Sequence, residues 1–316
     1  MTTYKEIRGT NIEAVASDPS NPVEGQVWYN TTTNVVKGLN INLGSWATGG
    51  DLNAVNYGSA AAGIQTAALD FGGLETPADT ELYNGSNWTE VNNLNSGRDQ
   101  FGGAGTSTAA LAFGGPSGSA LTETWNGTNW TEVNDLNTGR RQMGAAGASN
   151  TAVLAFGGES PGTSLLGVTE NWNGTNWTEV NDLNLARPTL AGAGTNTAAL
   201  AFGGAPGTKN ETELWNGTNW TEVNNLNSGR NSLAGCGATN TAALAFGGYA
   251  GGTSALTETW NGTNWTETGD LGTARYFFPG CGTNTAALAI GGYTNTAVAS
   301  VEEFNAGPAT VTFNVS

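Results

Sequence analysis

A sixteen-residue phrase, TETWNGTNWTEVNDLN, occupies residues 122–137, and close variants of it begin at Thr80, Thr169, Thr212 and Thr257. It belongs to a longer period. Gly-Gly pairs begin at Gly72, Gly114, Gly157, Gly203, Gly247 and Gly291, and a Trp marks the same point of each unit at Trp46, Trp88, Trp130, Trp177, Trp220 and Trp265. Spacings of 42 to 47 residues suit a four-stranded propeller blade better than a helical repeat. One such unit cannot bury its own apolar face, so neighbouring units must stack.

Each unit predicts four strands. A small-residue segment such as GGAGT at 102–106 suits the crowded axis, where blades converge. A TSTA or TNTA turn leads to AALAFGG, in which Leu111 and Phe113 alternate with Ala110 and Ala112, a period of two. TETWN and NWTEV follow, joined by Asn-Gly, whose residues accept the positive φ of a tight hairpin. Gly, Asn and Thr saturate every unit and leave no apolar stripe at helical spacing. The expected fold is all-β: a six-bladed propeller of four-stranded blades over residues 46–316, preceded by a short β-hairpin module over residues 1–45.

Composition excludes several functions. The chain has 316 residues, of which 48 are Gly and 11% are charged, and carries a net charge of −16. Its 38% apolar content and 11 Trp argue against disorder. So acidic a surface is a poor phosphate binder, which argues against nucleic acid and anionic membranes as partners. No apolar run approaches the ~18–20 residues that span a bilayer. The N-terminal stretch lacks a signal-peptide apolar region, so the protein is expected to be made in a cytoplasm, with its many Asn-x-Ser/Thr sequons unmodified. Without a single His, no His-ligated metal and no Ser–His or Cys–His nucleophile exists. No cofactor is expected.

The Gly-Gly after the second strand, the aromatic in the third, the Trp opening the fourth and the Arg before the next first strand (Arg98, Arg140, Arg187, Arg230, Arg275) resemble kelch-type β-propellers, including that of galactose-oxidase-like proteins. The likeness covers roughly residues 46–316 and implies the fold. The copper-radical chemistry of that family needs His and a Tyr–Cys pair absent here, so no catalytic residue carries over.

Six Gly-Gly strands meet an orphan fourth-strand segment at Trp46, GSWATGGDLN, and a last blade whose third strand is VEEFN. Joining the two would clasp the ring; the terminal ATVTFNVS is the competing closure, and Trp46 is favoured because it keeps the repeat's Trp. The segment SDPSNPVEGQVWYNTTTNVVKGLN, residues 17–40, stands outside the repeat and resembles elements near the start of tailed-phage structural proteins. The whole arrangement resembles virion proteins of marine phages. It implies a virion component, a tail fibre, head fibre or decoration protein, docked to other virion proteins through its N-terminus and meeting host-surface carbohydrate through the ring. The alternatives are a carbohydrate-active enzyme on a propeller scaffold and a bacterial lectin-like propeller.

Candidate sites follow from departures from the repeat. A Glu in every third strand (Glu81, Glu123, Glu170, Glu213, Glu258, Glu303) and another in each full fourth strand is expected to serve the scaffold, because a catalytic acid should occur once. Asp70 replaces Ala112, Ala155, Ala201, Ala245 and Ala289; it is either an ion ligand near the channel or a hydrogen-bonded substitution. Cys236 and Cys281 replace first-strand Ala residues and are expected to be small buried thiols. The loops after Gly-Gly diverge and should share one face, offering Leu165, Leu166, Lys209, Tyr249 and Tyr293 as binding contacts.

Overall fold

The computed structural model describes residues 12–20, 26–75 and 77–313, and their side chains except those of 39–43 and 308–313. The chain divides into two compact units, one of residues 44–305 and one holding 1–43 with 306–316.

The larger unit is a six-bladed β-propeller. Five blades are four-stranded sheets of consecutive antiparallel strands. Blade 1 comprises Ala60–Ile64, Ala67–Phe71, Thr80–Tyr83 and Trp88–Glu90. Blade 2 comprises Gly102–Thr106, Ala109–Phe113, Thr122–Trp125 and Trp130–Val133. Blades 3, 4 and 5 repeat this and open with Gly144–Ser149, Ala191–Thr195 and Ala234–Thr239. Blade 6 takes Gly280–Gly282 and Ala286–Ile290, then the start of Val301–Phe313, beside which lies the end of Val35–Thr48. First and last parts of the ring therefore share one blade, and the Gly49 N–H donates to the Val301 carbonyl at 2.9 Å.

The large–small alternation of the second strand explains how blades stack. Leu69 and Phe71 of blade 1 pack on Ala110, Ala112, Trp125 and Trp130 of blade 2. Leu111 and Phe113 meet Val153, Ala155, Trp172 and Trp177 in the same way, and the pattern continues around the ring. Each bulky face fills the space that alanines leave on the next blade. At five seams a Phe meets the fourth-strand Trp of the next blade, with centroids 4.9 Å apart for Phe71–Trp130 and 4.8 Å for Phe246–Trp46, and from blade 6 to blade 1 Ile290 takes the place of the Phe against Trp88. Trp46 also donates its indole N–H to Thr257 Oγ1 of blade 5, as Trp177 does to Thr122 Oγ1 of blade 2.

A buried ion pair stiffens five blades. Arg98–Glu123, Arg140–Glu170, Arg187–Glu213, Arg230–Glu258 and Arg275–Glu302 lie 2.5–2.9 Å apart, and none of these side chains is more than 9% exposed. The scaffold role expected for the repeated third-strand Glu is thus occupied, with one shift of position. The last blade uses Glu302, opposite Ala289, and not Glu303, which instead accepts from the Tyr83 hydroxyl at 2.6 Å.

In the smaller unit the strands Glu13–Val15 and Val27–Asn30 run parallel, and Val27–Asn30 pairs antiparallel with Val35–Thr48 through Val35–Gly38. Asp18 ties it together, accepting from Trp28 Nε1 at 3.0 Å, Asn30 Nδ2 at 2.7 Å and Lys37 Nζ at 2.7 Å. These bonds, led by the one from Lys37, hold its carboxyl down at about 2. Residues 21–25, NPVEG, of the segment 17–40 that resembles phage structural proteins lie outside the described residues.

Candidate functional site

The divergent chemistry of the ring gathers where the first strands begin. One residue per blade there has a left-handed backbone: Gly58, Gln100, Gln142, Thr189, Ser232 and Phe277, with φ between 52° and 70°. Each donates its N–H to the carbonyl of its counterpart in the preceding blade, from Gln100 to Gly58 at 2.8 Å through Phe277 to Ser232 at 3.0 Å, and Gly58 donates to Phe277 at 2.8 Å. The six bonds close a collar around the axis. A left-handed conformation is uncommon outside glycine and a steric outlier for a β-branched residue such as Thr189. The circuit of hydrogen bonds over-determines it.

The collar side chains rim a concavity of about 160 Å³, with Phe101 and Phe278 among its buried lining. Gln142 Nε2 donates to Gln100 Oε1, and Gln100 Nε2 donates to Asp99 Oδ2 at 2.8 Å, a polar chain along blades 2 and 3. Immediately before the collar stand Tyr57, Asp99, Arg141, Pro188, Asn231 and Tyr276; after Gly-Gly stand Leu74, Pro116, Glu159, Ala205, Tyr249 and Tyr293. Backbone bonds join the two sets within blades, as Tyr276 with Tyr293 and Asn231 with Tyr249.

Equivalent positions thus carry unlike chemistry. Blade 6 is aromatic at both positions, and blades 1 and 5 at one each, beside Leu74 and Asn231: Tyr276 contacts Tyr249 and Tyr293 with centroids 5.7 Å and 5.5 Å apart, Tyr57 meets Tyr293 at 5.2 Å, and Phe277 meets Tyr276 at 5.3 Å. In blade 3 the same positions hold Arg141 and Glu159, 2.7 Å apart. Burial pushes the Tyr57 and Tyr276 phenols up, with Glu75 and Asp99 adding at Tyr57, so both hydroxyls stay protonated donors.

Of the residues singled out in the sequence, Tyr249 and Tyr293 come together on Tyr276. Leu165 is 42% exposed and bridges Glu159 in blade 3, with Leu166 half-buried beside it. Lys209, in the blade 4 loop, lies 3.8 Å from Glu211. Asp70 is not one of these surface groups: 3% exposed, it accepts from Ser59 Oγ at 2.9 Å and from Asn56 Nδ2 at 3.5 Å. Cys236 and Cys281 are free, buried thiols. They line the other end of the channel, and burial pushes both up, Cys281 to about 12. Sequence reading passed over the collar, Tyr57 and Tyr276; aligning the residues between each Arg and the next first strand exposes them as the columns that vary most.

Among the described residues, no three or more of His, Cys, Asp and Glu are grouped so as to hold a metal ion. The mouth offers stacking faces and hydrogen-bond donors and acceptors. No family model and no curated protein matches the chain. It does resemble a solved structure, that of YjhT. The match has a TM-score of 0.67 over 84% of this chain and 99% of the other, at 12% identity, and shows the propeller fold.

Proposed function

We propose that the chain is a non-enzymatic binding propeller of a phage virion, attached to the particle by its N-terminal unit and presenting the collar face to carbohydrate on the host surface. One observation carries the binding part. The ring repeats itself closely in core, rim and ion pairs, and departs from repetition at the positions that crown the mouth. Concave sites with aromatic walls and a few placed polar groups are the usual form of small-ligand sites. The virion part rests on the likeness of residues 17–40 to the start of tailed-phage structural proteins. A kelch-type ancestry of the ring belongs to the same reading, from its Gly-Gly and Trp spacing.

Mass spectrometry of purified particles, paired with cryo-electron microscopy of their surface, tests it. The protein is expected in stoichiometric amounts, with ring density at a fixed site, and deletion of residues 1–43 is expected to abolish its incorporation. Its absence from particles would remove the virion role. Particles that incorporate the truncated chain would remove the docking role of the N-terminal unit.

A further inference from the structure

The aromatic residues at the mouth form one continuous surface and not a cage. A group held between two ring faces needs them roughly 7–8 Å apart, twice the ~3.5–4.0 Å of carbon contact. Here the centroids lie 5.2–5.7 Å apart, so the rings already touch one another. A ligand must therefore lie over them, apolar face down. None of these neighbouring pairs leaves room between its rings for a quaternary ammonium, the usual cage ligand.

Charge narrows the class further. Glu75 and Asp99 act on Tyr57, and the net charge is −16. The cations this face presents, Arg141 and Lys209, face Glu159 and Glu211 at 2.7 Å and 3.8 Å. Neither is a free partner for a carboxylate or sulfate. Size narrows it again. The concavity of about 160 Å³ lies below the ~300 Å³ at which drug-sized pockets begin and near the roughly 150 Å³ that accepts a single six-membered ring.

We propose that the mouth seats one neutral pyranose ring, stacked on Phe277 of the concavity wall and reaching the edge of Tyr276 beside it, with Gln100 and Gln142 on the opposite side selecting its hydroxyls. This rests on the carbohydrate reading above and specifies its ligand. Tyr249 and Tyr293 extend the platform for a second sugar unit outside the mouth. Beyond the bonds they make to each other and to Asp99, each carboxamide keeps a second N–H and further acceptor capacity, as a row of hydroxyls requires.

Saturation-transfer NMR on the full chain tests the proposal. The probes are methyl glucoside, methyl galactoside, methyl mannoside and N-acetylglucosamine, against glucuronic and N-acetylneuraminic acids. A neutral sugar is expected to receive saturation at its ring protons and to bind at least tenfold more tightly than the acids. Tyr276→Ala is expected to weaken it tenfold or more, and the rim variant Asn134→Ala to leave it unchanged. Tyr249→Ala, at a 38% exposed position where truncation leaves the core intact, is expected to weaken oligosaccharides more than monosaccharides. Equal binding by both aromatic variants, or preference for the acids, would overturn this seat while leaving carbohydrate binding in place. No saturation of any sugar, together with no retention on the host's surface polysaccharide, would overturn the carbohydrate reading itself.

Discussion

Asn56 and Asp70 replace two residues of the repeat at once. Where other blades have an Arg beside an Ala, blade 1 has an Asn beside an Asp. Asn56 Nδ2 donates to the Gly72 carbonyl at 2.7 Å, as Arg275 Nη1 does to Gly291 at 2.7 Å, and Asp70 stands directly across the strand pair from Glu81. Two carboxyls and no guanidinium share this spot. Burial, with Glu81 adding to it, pushes Asp70 up to about 8 against the opposing bonds from Ser59 and Asn56, so it is neutral at pH 7. Its folded value lies above its unfolded one; the stability it contributes is complete below pH ~4 and is lost as pH rises through 8. Urea midpoints at pH 6 and 9 should therefore fall more for the wild type than for Asp70→Asn; equal slopes would contradict this. Asn56→Arg and Asp70→Ala should each destabilise alone and compensate together, because the double variant restores the arrangement of blades 2–6; a double-mutant cycle reads the coupling. The sequence exposed Asp70 as a departure from the repeat. Its partner was hidden because Asn56 looks like loop composition until the absence of Arg in blade 1 is placed beside it.

At the scale of elements, strands, hairpins and the small-residue inner edge were legible, because alternation and Asn-Gly are local signals. So was the seam. Large and small residues on opposite faces of the second strand are what stacking blades need. The Arg–Glu pairs were partly legible. In VEEFN a one-residue slip exchanges Glu302 for Glu303 and flips the side chain to the other face, and both positions hold the same residue. Replacing Glu213 by Gln leaves Arg187 charged at 0% exposure and should cost about 3–5 kcal/mol by denaturant unfolding; a loss below about 1 kcal/mol would show that the pair is not structural. The collar was not legible, since Gln, Thr, Ser and Phe at left-handed positions lack the glycine that normally marks them. Thr189 carries a φ of 54° and a buried hydroxyl without a partner. Thr189→Gly should therefore raise stability by about 1 kcal/mol, where a substitution to glycine in a strand lowers it. An unchanged or lowered midpoint would show that the collar bears no strain.

The larger unit is a ring held at unequal seams. Asn92, Asn134, Asn181 and Asn224 each donate to the turn of the next blade, to Thr128, Thr175, Thr218 and Thr263 carbonyls at 3.0 Å. At the two seams of blade 6 this position is glycine. A Cβ on Gly50 would lie 2.1 Å from the Ser86 carbonyl, and one on Gly269 2.3 Å from that of Gly44. These seams rely on backbone approach, with Trp46 packed on blade 5 at one and Trp88, whose indole N–H donates to the Gly50 carbonyl at 2.9 Å, at the other. Trp46→Ala should lower stability by about 3 kcal/mol and melt the ring in one transition, because opening one blade removes a neighbour from two others. Loss of blade 6 alone, with five blades intact by hydrogen exchange, would contradict that cooperativity. Repetition builds this frame; the crown around the mouth is where the blades differ.

The most direct test exchanges the crown of blade 6 for that of blade 4. In Tyr276→Pro/Tyr293→Ala, two positions take the residues found at Pro188 and Ala205. Retention on a neutral glycan array is measured beside Asn134→Ala/Asn181→Ala, which alters only the rim. The crown variant should fold and lose retention, and the rim variant should keep it. Retention that survives the crown exchange, or that is lost with the rim instead, would contradict a site at the mouth.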